Sequence, residues 1–104
     1  MMNYHLFLMI IDPILEKEKS AYYKAGTAYQ EKLNKERCPV EQWSDNKIAL
    51  WLDFKWDILM GEQYEILKER YPLHQINAWE KRCNNFNYLN PLKDLLKEET
   101  EKFC

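Results

Sequence analysis

Asp53 and Asp57 are the charged residues whose types and spacing most directly suggest chemistry in this chain. In the run Trp51-Leu52-Asp53-Phe54-Lys55-Trp56-Asp57-Ile58 they stand one helical turn apart, hence on one face. If burial separated their pKa values, such a pair would form a general acid and base. Set among aromatic side chains, it would receive a lysine or arginine from a partner. The plain alternative is the solvated edge of a buried helix. That alternative outweighs catalysis and stands level with partner binding.

Nucleophilic and metal chemistry have weaker support. His74 and Cys83 are nine residues apart, which places them on opposite sides of a shared helix and forbids a thiol–imidazole dyad there. Cys38, Cys83, Cys104, His5 and His74 offer ligand types, but no two of them lie within one turn, the spacing that zinc sites normally use. Buried or incidental thiols, acting as small apolar residues, are the simpler reading. With only Gly26 and Gly61 in the chain, glycine-rich phosphate loops are absent, as is any serine elbow or metalloprotease signature. No catalytic residue, metal or cofactor is assigned, and the chain is read as a non-enzyme.

Nucleic acid is the alternative partner. Lys32, Lys35 and Arg37 form one basic cluster, and Lys81 and Arg82 precede the aromatic, asparagine-rich run Asn84–Asn90. Basic residues beside exposed aromatics bind single strands by stacking. Here Glu31, Glu36 and Glu80 interleave with the cations, the pattern of a solvated helix face, and the net charge of −2 attracts no phosphate backbone.

These residues need elements to hold them. Scarce glycine and abundant Glu, Lys, Leu and Ala predict an all-α fold over residues 1–104, a single small bundle of four to five helices. Prolines divide the chain. A first helix is expected from Pro13 to about Arg37, with Leu15, Tyr22, Tyr29 and Leu33 inward. A second is expected from a Ser44 cap to Met60, either stopping at Gly61 or continuing, weakened, to Arg70. A third covers roughly His74 to Cys83, and a fourth runs from Pro91 to about Lys102. Tyr4–Ile11 reads equally as a short strand or an opening helical turn, and Asn84–Asn90 reads as a loop. The apolar run Leu6–Ile11 is too short to span a membrane and has no basic region before it, so a cytoplasmic protein with reduced thiols is expected.

Apolar side chains point in almost every direction around the second helix, which normally means burial on all sides. A domain this small has little interior to provide it. Tyr22, Tyr29, Trp51, Trp56, Trp79 and Phe103 already fill one bundle core, leaving Trp43, Phe54, Tyr64, Phe86 and Tyr88 in surplus. A contiguous exposed apolar patch marks a contact site. The sequence therefore points to a stoichiometric protein binder, such as an inhibitor, an immunity or anti-defence protein, or an adaptor. Its expected contact residues are Trp51, Asp53, Phe54, Trp56, Asp57, Phe86 and Tyr88, facing another protein with a basic surface. A homodimer through the same face is compatible with this reading.

Overall fold

The computed structural model describes residues 2–70 and 76–103. In these, five α-helices pack around one continuous core: α1 (Tyr4–Ile14), α2 (Glu16–Asn34), α3 (Asp45–Arg70), α4 (Ile76–Cys83) and α5 (Phe86–Glu101). A single 3-10 turn, Pro39–Glu41, interrupts the connection between α2 and α3. The body measures 51 × 24 × 20 Å, and α2 is its hub, packed against α5, α3 and α1.

The apolar opening segment is a helix, so the strand alternative falls. Asn3 explains the choice, because its side chain accepts the Leu6 N–H at 2.9 Å and supplies a cap that a strand would not use. The expected start at Pro13 is corrected. Pro13 is carried in the last turn of α1, and the break comes two residues later, at Leu15 (φ −100°, ψ 15°). Leu15 itself is buried, so the break points inward and anchors both segments. The long first helix thus becomes two, α1 and α2.

A second correction concerns the loop expected at 84–90. Asn85 caps α5 by accepting the Asn87 N–H at 2.8 Å, and the helix starts at Phe86, ahead of the expected start at Pro91 by more than a turn. Pro91 is carried inside α5. His74 lies outside the described residues, and α4 is described from Ile76.

Ser44 caps α3 as expected, with its hydroxyl oxygen accepting the Lys47 N–H at 3.1 Å. Of the two endings considered, α3 takes the longer, running 26 residues through Gly61 to Arg70. An interior glycine costs about 1 kcal/mol, which flanking packing readily offsets. Asp45 in its first turn and Lys68 and Arg70 in its last complement the helix dipole.

Gly26 sets the closeness of α2 and α3. A Cβ at this position would collide with Leu52 of α3 and meet the Phe103 ring at 3.2 Å. The absent side chain makes room for Phe103, which lies edge-on to Tyr22 and Trp51 and tilted against Tyr29.

Candidate functional site

Two apolar rows run along α3 at four-residue spacing, offset by two residues and hence on opposite sides of the helix. Ile48, Leu52, Trp56 and Met60 form the inner row, all buried against α1 and α2. Leu50, Phe54 and Ile58 form the outer row, exposed by 69%, 65% and 47%. The next position at that spacing is the exposed Glu62, and Ile66 beyond it is exposed toward a groove lined by α5. The all-round apolar helix is thus half core and half surface.

Charged rows flank the outer one. Asp53 and Asp57 follow Leu50 and Phe54 by three residues and line one edge. Lys47, Trp51 and Lys55 precede Leu50, Phe54 and Ile58 by three and line the other. The face is therefore acidic on one side and basic on the other.

Neighbouring helices hold the acidic edge in place. Tyr23 of α2 donates its phenolic hydrogen to Asp53 Oδ1 at 2.6 Å. Tyr4 of α1 donates to Asp57 Oδ1 at 2.9 Å. Burial, then the aspartate partner, pushes both phenols well above the ordinary tyrosine range, so they remain protonated donors. Each carboxylate keeps acceptor positions for a second donor. Asp12 lies nearby but is taken up inside the fold by Lys19 Nζ and Trp56 Nε1, each at 3.2 Å. On the basic edge, Lys47 Nζ sits 4.7 Å from the Trp43 ring centre and Lys55 Nζ 5.1 Å from that of Trp51. These cation–π contacts orient both ammonium groups.

The expected contact residues therefore divide. Asp53, Phe54 and Asp57 are exposed on the outer face, and Trp51 is half-buried at its basic edge, packed against Tyr29, Trp43 and Phe103. Trp56 and Tyr88 are corrected: both are buried. Trp56 is only 2% exposed because its position falls on the inner row and its indole N–H is bonded to Asp12. Tyr88 turns into the core side of α5 and donates to Gln63 Oε1 at 3.1 Å. Phe86 is 76% exposed and stands at the first position of α5, on a different helix from the outer row. Leu50 and Ile58, which the sequence reading does not select, are exposed on the same row as Phe54. Their four-residue spacing with Phe54 was the available signal.

Among the nucleic-acid candidates, Lys32, Lys35 and Lys81 are exposed. Arg37 is held by Asn34 at 2.7 Å and Gln30 at 2.8 Å and stacks on Trp43, and Arg82 lies over the Tyr88 ring. Among the described residues no group of three or more His, Cys, Asp or Glu is placed to hold a metal ion. Cys83 is buried, and burial pushes its thiol up to about 11. An open groove of about 480 Å³ between α2 and α5 has Ala21 and Leu96 in its lining, with Lys17, Lys93 and Lys97 balanced by Glu18, Asp94 and Glu101. Lys93 pairs with Glu18 at 3.5 Å, and the rim offers no net charge to select a ligand. No described helix is long and apolar enough to cross a membrane. No family model, curated protein or solved structure matches this chain.

Proposed function

We propose that this protein is a non-catalytic, stoichiometric binder of another protein, acting in the cytoplasm as an inhibitor, an immunity or anti-defence protein, or an adaptor. One observation carries the reading: Leu50, Phe54 and Ile58 project from the side of α3 opposite its buried row. The core gains nothing from them there, and contiguous apolar surface in a small protein is characteristic of contact sites. Phe54 is the anchor that enters a partner's pocket. Asp53 and Asp57, held by Tyr23 and Tyr4, select a basic counterpart without a large cost in side-chain ordering. An exposed free Cys38 accords with a reducing compartment.

The test is an affinity-tag capture from host lysate with and without nuclease, run in parallel with Phe54→Asp. A stoichiometric protein that survives nuclease and is lost with Phe54→Asp is the expected result. Recovery of nuclease-sensitive material alone, unaffected by Phe54→Asp, would overturn the reading in favour of the nucleic-acid alternative.

A further inference from the structure

The charges bordering the outer row of α3 make that face complementary to itself in one orientation only. The edge with Asp53 and Asp57 and the edge with Lys47 and Lys55 flank Leu50, Phe54 and Ile58 on opposite sides. Two copies can meet through this face about a two-fold axis that is either parallel or perpendicular to α3. The perpendicular axis sets the helices antiparallel and brings like edges together, aspartate against aspartate and lysine against lysine. The parallel axis sets the helices side by side in the same direction and brings each acidic edge against a basic one.

The heights along α3 agree with the parallel arrangement. Lys55 lies two residues above Asp53 and two below Asp57, about 3 Å from each along the axis. Under the parallel two-fold, Lys55 of one copy therefore stands level with the gap between the two aspartates of the other. Symmetry repeats the contact on the opposite edge. The aspartates are already oriented by Tyr23 and Tyr4. The apolar row between the two charged edges is a four-residue ridge, and packing it against the three-residue rows of the mate crosses the helices at only about 20°, close to parallel.

We infer that, when no other protein occupies it, the outer face of α3 is covered by a second copy of this chain, the two α3 helices running parallel with Lys55 set between Asp53 and Asp57 of its mate. The contact is small, three apolar side chains and their flanks from each copy, so the dimer is weak and reversible. Self-association and capture of an unlike partner use the same residues and exclude one another. The inference rests on the charge pattern and not on the identity of any partner.

Sedimentation velocity from about 1 μM to 1 mM tests it, with circular dichroism to confirm that each variant is folded. The wild type is expected to move from 12.8 kDa to twice that mass. Phe54→Asp, a change at an exposed position, should stay monomeric. Lys55→Glu places a carboxylate against two others and should weaken the dimer at least about tenfold, since the loss occurs twice per dimer. Adding Asp53→Lys and Asp57→Lys to Lys55→Glu reverses both edges and should restore association. A wild type that is monomeric throughout leaves the face to an unlike partner and overturns the inference. So does a dimer indifferent to Phe54→Asp, which would use another surface, or one lost with Phe54→Asp but indifferent to Lys55→Glu, which would exclude the parallel arrangement. Lys55→Glu touches no hydrogen bond of the fold, so it stands as a test even if the aspartate replacements unfold the chain.

Discussion

Gly26 of α2 lies so close to Leu52 of α3 that a methyl group added at Gly26 would overlap the leucine side chain. The Phe103 ring closes over the same spot. The other glycine, Gly61, has nothing within 4 Å of its missing Cβ although it too is helical. Gly26→Ala should therefore destabilise the protein by about 1–3 kcal/mol through overpacking, despite its better helix propensity. Gly61→Ala should stabilise it by about 0.5–1 kcal/mol. Urea melts followed by circular dichroism read both, and equal signs for the two would contradict the packing described.

Two aromatic residues of α3 only two positions apart in sequence should behave oppositely. Trp56→Ala removes a buried indole and leaves Asp12 short of a donor, at a cost of about 3–5 kcal/mol. Phe54→Asp changes an exposed side chain and should leave stability within about 0.5 kcal/mol. Thermal unfolding distinguishes them. Loss of binding in a Trp56 variant would accordingly report unfolding and not contact.

Alkaline titration should follow the tyrosines. Tyr22 is pushed up to about 12 by burial, and Tyr4, Tyr23 and Tyr88 are raised further, chiefly by burial. A phenol whose folded pKa exceeds its unfolded value of about 10 keeps its proton in the native state after the unfolded chain has lost it. Stability contributed this way is intact below pH 10 and falls as pH rises from there through 12. Ultraviolet absorbance of phenolate should show these four tyrosines ionising together with loss of helicity. Full ionisation of all tyrosines near pH 10 with the helices intact would contradict their burial.

Thiol labelling should separate the described cysteines by environment. Cys38 is exposed, whereas Cys83 is buried with its thiol raised to about 11. Peptide mapping after brief alkylation should find Cys38 modified under native conditions and Cys83 only in denaturant. Equal rates for the two would place Cys83 at the surface.

Much of the architecture was legible because local signals agree with it. The Ser44 cap, the helical composition and the lack of turn glycines all point to a small bundle. Proline misled twice, at Pro13 and Pro91, because an asparagine upstream, Asn3 or Asn85, captures the first free N–H groups and starts the helix earlier. The site was legible in part. Asp53, Phe54 and Asp57 are where the sequence put them, at the surface of the second long helix. Trp56 was misplaced for a physical reason. The rows Ile48–Leu52–Trp56–Met60 and Leu50–Phe54–Ile58 are both apolar with the same period, and periodicity alone does not say which faces inward. Contacts distant in sequence decide it: Trp56 with Asp12, 44 residues away, and Leu52 with the bare backbone of Gly26.

The separation of those two rows also divides how the helix is free to evolve. Replacing any member of Ile48, Leu52, Trp56 or Met60 disturbs the fold, so selection for stability alone holds them. Leu50, Phe54 and Ile58 carry no such obligation, and random drift would exchange them for the charged residues that suit water. A lineage that retains them accepts a standing risk of aggregation, and retention would record selection exerted by whatever molecule the face touches.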